Sequence, residues 1–196
     1  MYSEAQARKK VLDFVNSSGH NPNEDEFVIS DIRLSENKDY WITSANSKAY
    51  IEQGDSSRCY VGASAYMLNT ETGEIEIVGN AQSPETYLKD KYDIKLANGN
   101  KYILVCSHNP KDKKAIINIH QVFNCPLKHA MHLVRDKTTW FTGIKRHLEE
   151  AKLLLETKDI MTEIQLTDTI NDIPVIQNDI IWWEAMQKII QENLNA

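Results

Sequence analysis

Cysteine and histidine side chains are concentrated in the second half of the chain. Five of the six histidines lie between residues 108 and 147. His129 and His132 are three residues apart, so on a helix they would be neighbours, and His120 and Cys125 precede them. Such side chains can bind zinc, but the Cys-x-x-Cys and His-x-x-x-His spacings of zinc sites are absent. The pattern favours surface histidines, and we expect neither a metal nor another cofactor.

Three cysteines and two acidic runs are the remaining candidates for catalysis. Cysteine catalysis requires a thiolate and a nearby base. Cys59 and Cys106 lie in or beside predicted strands, where a small apolar side chain serves equally well. The acidic runs 24–26 and 149–150 fall on a polar loop and on a solvated helix face, which does not suggest acid–base catalysis. No P-loop or Gly-x-Gly-x-x-Gly fingerprint occurs, so we expect a protein that is not an enzyme.

The first half of the chain predicts a small antiparallel meander with flanking helices. Ala7, Val11 and Val15 recur at helical spacing. The turn at residues 71–73 is typical of a hairpin, and the Ser-Pro-Glu sequence at residues 83–85 is typical of a helix start. The predicted elements are a helix at 3–17, strands at 27–34, 40–44 and 48–53, a hairpin of 65–69 with 74–78, and a helix at 83–91.

The second half predicts a β-α-α-β-α-β domain followed by a C-terminal helix. The tetrapeptide at 97–100 has the composition of a linker, so we predict a boundary there. The apolar run at 102–105 predicts a central strand. Leu127 is predicted to face inward on the second helix. The elements are strands at 101–107, 139–141 and 160–166 and helices at 112–123, 126–135, 144–157 and 177–194.

These elements predict an α+β fold with three segments. They are an α+β domain at 1–97, a second α+β domain at 101–168 and an amphipathic helix at 172–196. In that last helix Trp182 and Trp183 are adjacent, so their side chains point in different directions and cannot both face the same core. One of them is predicted at an interface, either between domains or in a homodimer through the C-terminal helix, or else both are half-buried rim residues.

Charge is unevenly distributed along a chain whose net charge is −6. Residues 101–158 carry 11 basic and 5 acidic side chains, whereas both flanking segments are acidic. Either the flanks screen the middle, or the middle presents a basic face to an acidic partner. Aromatic residues are not interleaved with the basic ones, so we do not expect nucleic-acid binding.

The location of the protein is predicted from three features. No run of 18 apolar residues occurs, so no membrane span is expected. The N-terminus has no apolar signal core. Three widely spaced cysteines, an odd number, suit reduced thiols. These features favour a cytoplasmic protein.

The stretch 40–93 resembles the immunity protein 35 family of bacterial polymorphic-toxin systems. The resemblance includes the N-terminal helix and so spans about residues 3–95. It is carried by Tyr-Trp at 40–41, Asn-Ser-Lys-Ala-Tyr at 46–50, Gly-Asp at 54–55, Asn-Thr-Glu-Thr-Gly-Glu at 69–74 and Ser-Pro-Glu-Thr-Tyr-Leu at 83–88. The resemblance implies a protein that binds and neutralises a cognate toxin domain by occlusion, with no chemical step.

The stretch of about residues 100–168 resembles the C-terminal domain of the ribosomal stalk protein. The helices beginning at Lys113 and Pro126, and the Leu-Glu-Glu-Ala-Lys sequence at 148–152 before a closing strand, carry this likeness. That family uses the surface of its first two helices to engage translation factors. The alternative function is therefore an intracellular adaptor or chaperone-like protein that docks through this domain, with the basic region 111–146 as its surface.

We predict partner-binding residues in the first domain. Strand alternation places Tyr40 and Trp41 on opposite sheet faces, so one of them is a candidate binding hot spot. An acidic surface suits a basic toxin, because complementary charge accelerates association. The predicted binding residues are Tyr40, Trp41, Asp55, Glu71, Glu74 and Glu76.

Overall fold

The chain folds as an α+β protein with two compact units, Met1–Lys89 and Asp90–Ala196. The structure is a computed structural model, and it describes residues 1–17, 25–136, 138–169, 172–177 and 181–194. The division between the units falls inside helix α3, Pro84–Ala97. The predicted boundary at 97–100 is the turn that follows this helix, where Asn98 and Gly99 have positive φ.

The first unit is built on a four-stranded antiparallel sheet. The strands lie in the order β1-β2-β3-β4, so each is paired with its neighbour in sequence. The predicted meander is thus confirmed, with its hairpin turn at residues 71–73. The elements are α1 (Glu4–Ser17), β1 (Phe27–Leu34), β2 (Tyr40–Ser47), α2 (Lys48–Gln53), a 3-10 turn (Ser56–Arg58), β3 (Ala63–Asn69), β4 (Ile75–Gly79) and the start of α3.

Helix α1 covers one face of this sheet. Its residues Ala7, Val11 and Val15 are fully buried, as their helical spacing predicted. They pack against sheet residues that include Tyr66 and Leu68 from β3. Burial of apolar area here stabilises the unit by about 25 cal/mol per Å².

Residues 48–53 are helix α2, so the prediction of a strand there was wrong. The Ser47 side chain accepts a hydrogen bond from the Tyr50 N–H, which caps the helix at its N-terminus. Gly54 ends the helix in the left-handed conformation, with φ 73°. The serine and the glycine at its two ends therefore favour a helix over the predicted strand.

The second unit contains a three-stranded antiparallel sheet in the order β6-β5-β7. Strand β5 lies in the centre, as its apolar run predicted. The chain order strand, helix, helix, strand, helix, strand also agrees with the prediction. The elements are the end of α3, β5 (Lys101–Cys106), α4 (Lys113–Val122), α5 (Leu127–Arg135), β6 (Thr139–Gly143), α6 (Lys145–Glu156), β7 (Thr162–Thr167) and α7 (Trp183–Leu194).

Aromatic rings pack against one another in the largely aliphatic core of the second unit. The Phe123 ring stacks on Trp183 with centroids 5.5 Å apart and meets Trp140 edge-on at 5.7 Å. Trp182 is 50% exposed, so the two adjacent tryptophans do face different surroundings. Leu127 is 48% exposed, and its predicted inward orientation was wrong.

Helix α7 packs on the core of the second unit through Met186 and Ile190. It begins at Trp183, later than the predicted start at residue 177, and Ile180 lies outside the described residues. None of the helices in the described part of the chain combines the length and apolar character that a membrane span requires.

Candidate partner-binding site

The cysteines are not placed as activated nucleophiles. Cys106 and Cys125 are buried, and that burial raises the pKa of each thiol above its ordinary value. A raised pKa keeps the sulfur protonated near neutral pH, where only the thiolate is a strong nucleophile. The third thiol, Cys59, is half-buried in the first unit.

Two of the histidines and two carboxylates of the 24–26 run make structural contacts. His108 Nε2 accepts the Met161 N–H at 3.0 Å, and His132 lies 3.0 Å from Asp136 one turn along its helix. Within the described ranges, no three His, Cys, Asp or Glu side chains are grouped so that they could hold a metal ion. Both described carboxylates of the 24–26 run pair with cations, at 3.1 and 3.3 Å, while Glu24 lies outside the described residues.

Tyr40 and Glu76, two of the six predicted binding residues, are joined in a hydrogen-bond network. Tyr40 is only 5% exposed, and its hydroxyl donates to Glu76 Oε1 at 2.9 Å. The hydroxyl of Tyr87, in helix α3, donates to Glu76 Oε2 at 2.7 Å. The carboxylate of Glu76 thus joins the sheet to the start of α3, and both of its oxygens are already occupied.

Trp41 and Asp55 each make hydrogen bonds that stabilise local structure elsewhere in the first unit. The Trp41 indole is half-buried beside α1 and donates to the Tyr2 carbonyl at 2.8 Å. Asp55 is exposed and caps the 3-10 turn, because its carboxylate accepts from both the N–H and the hydroxyl of Ser57. These two hydrogen bonds lower the pKa of Asp55 below its ordinary value.

Glu71 and Glu74 are exposed in the β3–β4 turn, at the opposite end of the strands from Asp55. Tyr40 pairs with Asn69 at the turn end, whereas Asp55 precedes the start of β3. The seven residues of β3 separate the two ends by about 20 Å. The structure therefore does not bring the six predicted residues together on one surface.

Two hairpin turns meet at the end that carries Glu71 and Glu74. The Thr70 N–H donates to the Asp39 carbonyl at 2.8 Å, and its hydroxyl donates to the Lys38 carbonyl at 3.1 Å. The segment before α1 also contacts these turns, since the Tyr2 N–H donates to the Thr70 carbonyl at 2.6 Å. These bonds fix the β1–β2 turn, the β3–β4 turn and the N-terminus against one another.

The β3–β4 turn is itself rigidly built. The Asn69 side chain accepts from the N–H groups of Glu71 and Thr72, at 2.9 and 3.0 Å. Gly73 adopts φ 73°, and a Cβ at this position would meet the Tyr2 ring at 2.6 Å. The positive φ therefore favours glycine at residue 73, and a larger residue would also require the Tyr2 side chain to move.

The two turns together present four carboxylates, which we name the acidic turn surface. Glu36, Glu71 and Glu74 are exposed and Asp39 is partly exposed. Sequence reasoning missed Glu36 and Asp39, because the pairing of β2 with β3 that brings their turn beside residues 71–74 is not visible in a local pattern. Lys38 and Lys10 lie at the same end, and the net charge there stays negative.

This arrangement suits the binding of a cationic surface. Exposed carboxylates on fixed turns offer hydrogen-bond acceptors to lysine or arginine side chains without further ordering of the backbone. Comparison of the chain with protein-family models, curated proteins and solved structures gave no match. The resemblances to the immunity protein 35 family and to the ribosomal stalk domain therefore stay predictions from the sequence.

Proposed function

We propose that this chain is a non-enzymatic immunity protein that neutralises a cognate toxin domain by occlusion. In this proposal the acidic turn surface, formed by Glu36, Asp39, Glu71 and Glu74, contacts a basic face of the toxin. The observation that carries the proposal is the set of hydrogen bonds from Thr70, which fixes the two acidic turns side by side.

Rigidity and charge both support this function. A surface that is already ordered loses little conformational entropy on binding, so more of the contact energy appears as affinity. The negative charges of the acidic turn surface also steer a cationic partner and raise the association rate. Occlusion needs no catalytic group, which agrees with cysteines that burial keeps protonated.

Survival of cells that co-express the cognate toxin tests the proposal. The full chain should protect, and the double variant Glu71→Lys with Glu74→Lys should lose most of that protection. The matched control is Glu52→Lys, a reversal of an exposed charge in α2, which follows β2 at the other end of the same sheet. Full protection by the double variant would contradict the acidic turn surface as the binding site.

Binding kinetics separate a lost contact from a damaged fold. The double variant should lower the association rate with purified toxin, and added salt should lower the wild-type rate towards that of the variant. Its far-ultraviolet circular dichroism should match that of wild type, because both side chains are exposed in a turn. A rate that does not depend on salt would argue against electrostatic recognition.

The exposure of Leu127 favours one second candidate, an adaptor that docks through helices α4 and α5. Ile117 on α4 and Leu127 on α5 are 49% and 48% exposed, and Lys113, Lys114 and Lys128 lie on the same helices. Replacement of Ile117 and Leu127 by serine should abolish capture of an acidic partner by this route. The same replacements should leave protection against the toxin unchanged.

A further inference from the structure

Lys38, in the β1–β2 turn, has a backbone conformation that lysine rarely adopts. Its φ is 61°, in the left-handed region where the Cβ atom of a side chain crowds the following carbonyl. The other non-glycine residues with positive φ in the described ranges are asparagines and aspartates, which tolerate this region better, namely Asn98, Asn124, Asp159 and Asp172. Among the residues that the structure describes, Lys38 is the one exception to this pattern.

Hydrogen bonds on both sides of the residue impose this conformation. The Lys38 N–H donates to the Ser35 carbonyl at 2.9 Å, which closes a turn over residues 35–38. The Lys38 carbonyl accepts the hydroxyl of the fully buried Thr70 at 3.1 Å. Ser35 is itself buried, and its N–H donates to the Tyr40 carbonyl at 2.8 Å. The path of the main chain is therefore set by its own backbone groups and by Thr70, and not by the side chain at position 38.

The fold gives no reason for a lysine at this position. A turn that ends in a left-handed residue favours glycine or asparagine there. The Lys38 side chain is exposed, and its ammonium makes no hydrogen bond or ion pair with a described residue. By contrast, Lys48 and Lys145 each bond to a carboxylate at 3.1 Å. Strained backbone positions cluster at functional sites, so a strained lysine that forms no ion pair within the described chain indicates a role outside the fold.

We propose that Lys38 is a specificity-determining residue of the acidic turn surface and binds an anionic group on the toxin. This inference rests on the proposed function and names a feature of its partner. The toxin face would carry cations opposite the carboxylates of the surface and one carboxylate opposite Lys38.

The clamp from Thr70 gives the lysine a defined position beside both acidic turns. The N–H of Thr70 also holds the Asp39 carbonyl at 2.8 Å, and Glu71 follows Thr70 directly in the sequence. The Cα atom of residue 38 is therefore fixed between neighbours that carry carboxylates. The flexible four-carbon stem of a lysine then lets the ammonium adjust to a partner.

A single cation among carboxylates changes which partners fit the surface. A uniformly basic face would place a lysine or arginine against Lys38, and such like-charge contacts are unfavourable. A basic face with a carboxylate at that point avoids the repulsion and gains an ion pair. Specific interfaces use repulsion of wrong partners as well as attraction of the right one. Lys38 therefore favours the cognate toxin over other basic proteins.

Two substitutions at position 38 separate backbone strain from recognition. Lys38→Asn suits the left-handed region and removes the charge, whereas Lys38→Arg keeps both the charge and the strain. The urea midpoint should therefore rise in Lys38→Asn and stay at the wild-type value in Lys38→Arg. This measurement needs no partner, and an unchanged or lower midpoint in Lys38→Asn would overturn the claim that the lysine strains the turn.

Binding of the full chain to the purified toxin domain tests recognition. The dissociation constant should rise about threefold or more in Lys38→Asn and change less than about twofold in Lys38→Arg. Binding to poly-L-lysine, which has cationic side chains only, should instead become tighter in Lys38→Asn. The matched control is Lys95→Asn, which removes an exposed lysine near the end of α3 and should change neither measurement.

The outcomes separate this inference from the proposed function. Equal toxin binding by wild type and Lys38→Asn would overturn the role of Lys38, while the acidic turn surface would stand if Glu71→Lys with Glu74→Lys still lost binding. Weaker binding of Lys38→Asn to the toxin and to poly-L-lysine alike would overturn its role in specificity. Absence of toxin binding by the wild-type chain would overturn the proposed function and this inference with it.

Discussion

Both units have an apolar core, and the first adds polar hydrogen bonds at the ends of its strands. The buried cluster of the first unit includes Tyr66 and Leu68, and that of the second includes Phe123. In the first unit the Thr70 and Ser47 hydroxyls also donate to backbone carbonyls, and the Glu76 carboxylate accepts from Tyr40. These polar bonds fix the position of the turns.

The largest expected effect is loss of the Phe123 ring from the second unit. Phe123→Ala should lower the free energy of unfolding by about 3–5 kcal/mol, because it leaves a cavity between Trp140 and Trp183. Urea unfolding monitored by circular dichroism measures this loss, with Leu127→Ala as the exposed control. A loss of less than about 1 kcal/mol in the free energy of unfolding would show that the Phe123 ring is not central to this core.

The next effect tests the polar network of the first unit. Glu76→Ala should lower the free energy of unfolding by about 1–3 kcal/mol, because the Tyr40 and Tyr87 hydroxyls lose a shared acceptor. The control Glu74→Ala removes an exposed carboxylate two residues away and should cost less than about 0.5 kcal/mol. If urea unfolding gave the same loss of unfolding free energy for both variants, the network would not stabilise this unit.

A smaller effect is expected at the cap of helix α2. Ser47→Ala should cost about 1 kcal/mol, because the side chain accepts from Tyr50 and donates to the Arg58 carbonyl. The comparison variant is Ser56→Ala, whose hydroxyl is exposed. Hydrogen exchange of the Tyr50 amide should accelerate only in the first variant, and unchanged exchange would contradict the cap.

The smallest effect is a pH dependence of the Arg33–Glu85 ion pair. The hydrogen bond from Arg33 lowers the pKa of Glu85 in the folded state. Its stabilisation is therefore present above the unfolded pKa of about 4.3 and is lost as the pH falls through the folded pKa. Because both side chains are largely exposed, the contribution is below about 0.5 kcal/mol.

The variant Glu85→Gln isolates that pH dependence. Urea midpoints of wild type and variant should differ slightly at about pH 7 and converge at about pH 3. The comparison uses one salt concentration throughout, because exposed ion pairs are screened. A difference that grows towards low pH would contradict the sign of the shift.

Local patterns in the sequence predicted most of the fold. The turn at residues 71–73 identified the hairpin of β3 and β4, and the apolar run at 102–105 identified the central strand of the second sheet. Helix α2 was missed, although Ser47 and Gly54 carry the signals of a cap at each end.

The candidate sites were harder to predict because they depend on pairing between distant residues. Glu71 and Glu74 were identified as turn residues, but their neighbours Glu36 and Asp39 are brought close only by the β2–β3 register. Glu76 was assigned to a surface because the sequence does not show that two tyrosines bond to it. The position of β7 at an edge of the second sheet depends on strand order, which no local pattern contains.

The burial of two of the three cysteines has a practical consequence for site-specific labelling. Burial raises the pKa of Cys106 and Cys125, so a maleimide at neutral pH should react first with the half-buried Cys59. Cys59 follows the 3-10 turn at the end of the first sheet away from the acidic turn surface. A dye attached there would leave the proposed binding surface unmodified.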